Sequence, residues 1–367
     1  MKLLNLKLLN FRNYEKLDLN FNPSKNIIIG KNGMGKTNIV EAIYVLALTK
    51  SFRGSKETVV IRNNCDLARV EGIVEEKYKN SYKVILKEGD KKVKINNTNL
   101  DKISDYLSQI NIVLFTSEDL KLIKDTPGTR RKIIDIELSQ FSNDYLKMLQ
   151  LYNKVLKQRN AYLKTLYING MAPRSYLDIL TNQLVELGLK VYTYRQEFIN
   201  DLNKYVSSNY LKIAEDDRLK LTYISDYKDK TKKELLDIYI KGVEKDIQFG
   251  KTAFGIHHDD YDFSFDSMSL KDYGSEGEQK NAIISFKMAE LDIFREKKGI
   301  IPILILDDLF SELDEFKINN ILDFISNDVQ TFVTTTELTK IDDRLKVGST
   351  IFEVNNGQVI ERNDLNG

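Results

Sequence analysis

Gly30-Lys31-Asn32-Gly33-Met34-Gly35-Lys36-Thr37 fits the pattern G-x-x-x-x-G-K-[ST]. Glycines at this spacing let successive backbone N–H groups turn inward on a phosphate at a helix N-terminus. Lys36 is then placed to reach the β- and γ-phosphates, and the Thr37 hydroxyl to ligate Mg²⁺. Near the other end of the chain, Ile303-Leu304-Ile305-Leu306 runs into Asp307-Asp308. Asp307 at the end of an apolar strand suits a Mg²⁺ contact through water. Strand alternation would turn Asp308 to the opposite face, where it could orient an attacking water as the catalytic carboxylate. The bland alternative is a pair of acids that simply ends a buried strand. Taken together, the two segments imply a site for ATP with Mg²⁺.

The elements around these residues support that reading. Asn26 to Ile29 reads as a short central strand, and Ile39, Ala42, Ile43 and Leu46 recur at helical spacing. Strand, glycine loop and helix are the context a phosphate-binding loop requires. Residues 2–9 and 17–21 alternate apolar and polar and read as adjacent strands at a sheet edge. Tyr82 to Ile95 reads as a hairpin turning near Glu88-Gly89-Asp90, and Asn111 to Thr116 as a further strand. From Ile134 to Val155, and again from Leu177 to Phe198, apolar residues step by three or four. These runs predict two long helices, read equally as an antiparallel arm or as an ordinary helical subdomain. Residues 224–233 read as a solvated loop, and 301–336 as strand, helix, strand. The expected architecture is an α/β head made of 1–125 and 245–367, with a mainly helical arm, 126–244, inserted between the halves.

Composition narrows the class. The 367 residues suit about two domains, and the 30% charged residues leave a net charge of only +1. Nucleic acid contact would therefore need a local patch or a groove between two copies. One cysteine, Cys65, allows no internal disulfide and fits a reducing, cytoplasmic setting. No apolar run approaches the roughly 18 residues of a membrane span, so no membrane partner is expected.

Ser275-Glu276-Gly277-Glu278-Gln279 precedes a helical pattern carrying Ala282, Ile283, Phe286 and Ala289. Alone it reads as a plain helix cap. Placed shortly before the Asp-Asp strand, it resembles the signature motif of ABC-type ATPases. That resemblance implies that Ser275, Gly277 and Gln279 touch the γ-phosphate held by a second copy, and that Ser311 and Asp314 belong to a D-loop. Leu9 to Tyr14, Gly33 to Asn38, Glu41 to Tyr44, Ser51-Phe52-Arg53, Thr116 to Leu120, Arg130-Arg131, Gly255 to Asp260 and Tyr273 to Ser275 together resemble the RecF family. The resemblance implies an ABC-type head with a short arm, Arg12 and Asn13 at the nucleotide, and an ATP-dependent homodimer. It also implies a recombination mediator that binds DNA at single-strand gaps, working with RecO and RecR and, through them, RecA. The alternative is a subunit of an SMC-like DNA-processing complex, whose arms usually run to hundreds of residues.

This chain departs from the family pattern in several places. Ile256 and His258 stand where a proline and an arginine are usual, leaving the role of Gly255–Asp260 open. Asp308 is shorter than the glutamate common in ABC ATPases, which suggests slow hydrolysis. Thr334, Thr335 or Thr336 occupies the region of the usual switch histidine. Gln109 lies upstream of where a Q-loop glutamine belongs and is unassigned. For DNA, the candidate contacts are Lys83, Lys87 and Lys92 on the hairpin and Arg130 and Arg131 at the start of the arm. Such clusters are most often solvated faces. No zinc finger, helix-turn-helix or RNP motif is present to read bases.

Overall fold

The structure, a computed structural model, describes residues 1–54, 57–170, 172–311, 315–325 and 328–362. The chain divides into two compact units. The first comprises Met1–Asp119, Ser208–Asp216 and the chain from Ile283 onward; the second comprises Leu120–Ser207 and Asp217–Ala282.

The first unit holds two sheets. One is built from β1 (Lys2–Phe11), β2 (Tyr14–Asn20), β4 (Leu67–Glu75), β5 (Lys79–Lys87), β6 (Asp90–Ile95) and β7 (Thr98–Asn99). Its order is β2-β1-β4-β5-β6-β7, and its neighbours are antiparallel. Alternation sets its faces: Ala68, Val70, Val84 and Leu86 turn inward, while Arg69, Glu71, Lys83 and Lys87 turn outward. The other sheet contains β3 (Lys25–Ile29), β8 (Ile112–Phe115), β12 (Ile303–Asp307), β13 (Thr331–Thr335), β14 (Ser349–Asn355) and β15 (Gln358–Arg362). Its order is β15-β14-β3-β13-β12-β8, parallel apart from the β14–β15 hairpin. Apolar runs such as Ile303–Leu306 suit strands covered on both faces.

Helix α1 (Lys36–Leu48) packs against strands of both sheets. Ile39, Val40, Ala42, Ile43, Val45, Leu46 and Ala47 are all buried, so the helix is apolar all round, as a sandwiched helix must be. Gln330, fully buried just before β13, accepts the Leu3 N–H at 2.7 Å and donates to the Leu3 and Asn22 carbonyls, each at 2.8 Å.

The second unit is mainly helical: α2 (Pro127–Phe141), α3 (Asn143–Ile168), most of α4 (Arg174–Ala214) and α5 (Lys232–Phe249). A small sheet of β9 (Leu219–Ile224), β10 (Asp260–Phe265) and β11 (Met268–Ser269) accompanies them. The apolar run from Ile134 to Val155 is not one helix. Ser142 leaves the helical conformation, and its hydroxyl accepts the Tyr145 N–H to cap α3. The segment expected as a solvated loop closes on a capping box between Thr231 and Glu234 and buries Tyr227.

Buried arginines organise this unit. Arg195 bonds Asp135 at 2.9 Å and Asp259 at 3.0 Å, along with the Ile256 carbonyl. Arg159 bonds Asp246 and Thr252, each at 2.7 Å. The Gly255–Asp260 segment thus has an internal job: Asp259 receives Arg195, Asp260 receives Arg130, and His257 meets the Tyr152 hydroxyl at 2.7 Å. His257 Nε2 sits 3.1 Å from the Thr252 carbonyl, which can only accept, so Nδ1 of the neutral ring takes the Tyr152 proton. Burial pushes the His257 pKa down to about 4.

Candidate nucleotide site

β3 ends at Ile29, and the chain turns through residues 30–35 before α1 begins at Lys36. Gly35 has φ +114°, and a Cβ there would lie 2.6 Å from Asn13 Nδ2 and 2.9 Å from the Tyr14 hydroxyl. Tyr14 reaches this close because its buried hydroxyl donates to the Gly35 carbonyl at 3.1 Å. At Gly30 a Cβ would meet the Val354 carbonyl oxygen at 2.4 Å, so β14 also requires a bare backbone. Lys31, Asn32 and Gly33 form the exposed rim, with Met34 half-buried behind them. The sequence pattern and the loop geometry agree: each glycine at a crowded position is there because something already fills the space of a side chain.

Lys36 is buried, and its ammonium donates to the Gly30 carbonyl at 2.7 Å and the Lys31 carbonyl at 3.2 Å. Burial lowers its pKa, while the charges of Asp308 and Asp307 oppose that shift. The expectation that Asp308 takes the opposite face rests on strand alternation, and the backbone departs from a strand at that residue. β12 ends at Asp307, and Asp308 turns into the left-handed region at φ +54°, so strand alternation does not reach it.

Thr37 Oγ1 and Asp307 Oδ1 lie 3.2 Å apart across 270 residues of sequence. Asp307 also receives the Thr334 hydroxyl at 2.7 Å, and burial raises its pKa. A hydroxyl and a carboxylate, adjacent and hard, fit Mg²⁺, which takes one or two carboxylates together with phosphate oxygens.

Beside the loop, Arg12 grips Glu41 with two bonds, Nε to Oε2 at 2.8 Å and Nη2 to Oε1 at 2.5 Å. Glu41 is fully buried, one turn beyond Thr37 on α1, and also receives the Ser51 hydroxyl at 2.5 Å. Arg53 stands 3.9 Å from Glu41 and donates to Asn38 Oδ1 at 3.1 Å. Asn38 in turn donates to Asn13 Oδ1 at 2.8 Å, and Asn13 donates to the Met34 carbonyl at 3.2 Å. Sequence reasoning places Arg12 and Asn13 at the site but misses Glu41, Ser51 and Arg53. A signal is present: Glu41 is a lone acid among Ile39, Val40, Ala42 and Ile43. A charge in that setting needs a paired cation.

Ser275 and Gly277 belong to the second unit and are exposed at the start of α6 (Glu276–Ile293). Ser275 forms a capping box with Glu278: its N–H and hydroxyl donate to Glu278 Oε2 at 2.7 and 2.8 Å. Gln279 does not join that exposed surface. It is buried, donating to the Leu270 carbonyl at 2.7 Å and the Gly274 carbonyl at 3.2 Å, which holds the turn that presents Ser275. Ser311 ends a short turn, Leu309–Ser311, and Asp314 lies outside the described residues. Gln109 is exposed, upstream of β8.

Of the DNA candidates, Lys83, Lys87 and Lys92 lie on the outer face of the first sheet. Lys83 pairs with Glu71 at 3.3 Å, and Lys92 stands 3.9 Å from Asp90. Arg130 is a correction. It is buried and committed to Asp260 through two bonds of 2.7 and 2.6 Å, so it presents no charge to a phosphate. Arg131 is half-buried and donates to the Asp259 carbonyl.

The loop, the paired acids and the two sheets around α1 define a P-loop ATPase head. The family model for the RecF/RecN/SMC N terminal domain matches residues 2–359. The DNA replication and repair protein RecF of Ligilactobacillus salivarius is 38% identical over 372 residues, spanning 99% of this chain and 98% of that protein. RecF of Bacillus subtilis is also 38% identical, spanning 98% of this chain and all of that protein (100%). A solved structure of the recombination mediator protein RecF with ATP, in the RecFOR pathway, superposes with a TM-score of 0.91 at 28% identity, covering 98% of this chain and 97% of that one. The chain belongs to the RecF family, with the ABC-type head fold shared by SMC proteins. An Smc head from Pyrococcus furiosus, at 17% identity and a TM-score of 0.53, shares the fold alone. Among the described residues, no helix is long and apolar enough to cross a membrane.

Proposed function

We propose that this chain is an ATP-dependent, DNA-binding recombination mediator acting in DNA repair and replication restart. The observation that carries the reading is the Lys36–Thr37–Asp307 arrangement in a chain that matches RecF proteins along its whole length. Residues 30–37 hold the triphosphate of ATP, Arg12 and Asn13 border it, and Thr37 and Asp307 are the residues that would hold Mg²⁺. Bound there, the ion would supply charge neutralisation at the phosphates. Asp308 is the carboxylate that orients water, and hydrolysis is slow, acting as a reset. Ser275 and Gly277 cap the nucleotide of a second copy, so ATP brings two chains together around DNA at a single-strand gap. RecR and RecO, and through them RecA, are the partners, in the cytoplasm. By function the head is taken as 1–125 with 245–367 and the arm as 126–244, a division that differs from the compact units, in which residues 245–282 fall with the helices.

The deciding experiment is sedimentation of the full chain without nucleotide, with ATP and Mg²⁺, and then with gapped DNA, alongside Lys36→Ala. The expected result is a monomer that becomes a dimer with ATP and binds DNA only then, with the variant inert throughout. Equal DNA binding without nucleotide would overturn ATP as the gate.

A further inference from the structure

We propose that Thr334 is a positioning residue that fixes both acids of the nucleotide site, holding Asp307 with its hydroxyl proton and the backbone of Asp308 with a hydroxyl lone pair. The inference deepens the ATP-and-Mg²⁺ reading and rests on it.

Parallel pairing of β12 with β13 sets Thr334 opposite Asp307. Thr334 is 1% exposed, so its hydroxyl must find partners inside the protein. A hydroxyl has one proton to give and lone pairs to receive. An ionised carboxylate and a backbone N–H each leave it a single role. The proton goes to Asp307 Oδ1 at 2.7 Å, and the Asp308 N–H donates to Oγ1 at 2.9 Å. Thr37 reaches the same Asp307 oxygen from the loop, but at 3.2 Å. Thr334 is therefore the shorter of the two hydroxyl contacts, and it comes from the strand rather than from the nucleotide loop.

The second bond has the larger consequence. Asp308 sits at φ +54°, a conformation that residues other than glycine adopt at a cost. Its N–H bond to Thr334 holds that kink, and the kink takes the chain out of β12 directly after Asp307. One hydroxyl thus sets where Asp307 stands and which way the chain leaves it. Valine has nearly the shape of threonine and neither capability.

The test compares wild type, Thr334→Val, Thr334→Ser and a control, Thr331→Val, which removes a buried hydroxyl at the far end of the same strand. Two readouts do not depend on turnover: amide hydrogen exchange resolved at Asp308 in nucleotide-free protein, and the Mg²⁺ concentration that half-maximally tightens ATP binding. Thr334→Val should speed Asp308 exchange by about fivefold, the scale of one missing neutral hydrogen bond, and raise the Mg²⁺ midpoint by about tenfold, the scale of one missing bond to a charged group. Its ATP affinity in EDTA should stay within about twofold of wild type, since the loop and Lys36 are untouched. Serine should restore both readouts, and the Thr331 variant should change neither. Unchanged exchange and midpoint in Thr334→Val, or a serine variant that behaves like valine, would overturn the inference. If the valine variant does not fold, Thr334→Ala is measured against Thr334→Ser in the same way. Wild-type protein that binds no ATP at all would count against the nucleotide reading, and the exchange at Asp308 would still decide the role of Thr334.

Discussion

Arg12 lies along the carboxylate of Glu41, Nε to Oε2 at 2.8 Å and Nη2 to Oε1 at 2.5 Å, with Glu41 fully buried. The acid belongs to the helix that starts at Lys36, and the arginine to the end of β1. Glu41 therefore fixes where an arginine stands beside the phosphate loop. Glu41→Gln keeps the size but loses the charge and one acceptor. It should weaken ATP binding by about tenfold and cost about 1–3 kcal/mol of stability. Calorimetry and urea denaturation measure the two effects. Unchanged ATP affinity would mean that Arg12 does not touch the nucleotide.

Ser275 is exposed and held ready by Glu278. Ser275→Arg should bind ATP as wild type does, because the phosphate loop is elsewhere in the sequence, yet remain a monomer with ATP. Light scattering decides it. An ATP-induced dimer of the variant would remove the signature assignment.

The two basic segments should now behave differently. Lys83→Ala with Lys87→Ala removes two cations from an outer sheet face. It should flatten the salt dependence of DNA binding, by a slope of about 0.9 for each duplex phosphate left without its cation. Arg130→Ala leaves Asp260 without its two-bonded partner, and should lower stability while leaving that slope unchanged. Titrations of log K against log salt, paired with urea melts, separate the effects. A flattened slope in the Arg130 variant would place DNA against the helical unit.

His257 supplies a pH signature. Its folded pKa is near 4, against 6.5 for the ordinary group, because burial disfavours the cation and nearby His258, Arg131 and Arg159 add to the effect. The unfolded chain takes up the proton first, so stability is full above pH 6.5 and falls as pH drops toward 4. The loss attributable to this ring reaches about 3 kcal/mol over that window. His257→Gln should remove that part of the acid sensitivity, seen as the difference between wild-type and variant denaturation from pH 7.5 to 4.5. Identical pH profiles would show that the ring titrates normally.

The nucleotide loop is legible in the sequence because its chemistry is local: eight consecutive residues, a strand before and a helix after. The orientation of Asp308 is not, because its φ depends on a hydroxyl from a neighbouring strand, and strand alternation gives no warning of that. Arg130 is misread for the same kind of reason. Its partner, Asp260, lies 130 residues further on, and nothing local distinguishes a buried arginine from a solvated one. The helical repeats are readable in period but not in extent. Ser142 interrupts one run, and α4 continues for 41 residues, well past Phe198. The hairpin of β14 and β15 escapes the sequence reading altogether, although β14 is what forces a glycine at position 30.

Gln330 presents an acceptor and two donor hydrogens to Leu3 and Asn22, which is the same offer a short piece of backbone would make. It acts as a side-chain rung that continues one sheet's hydrogen bonding into the other. The start of β1 and the entry to β13, the strand that carries Thr334, are therefore tied by directional hydrogen bonds as well as by their shared packing on α1.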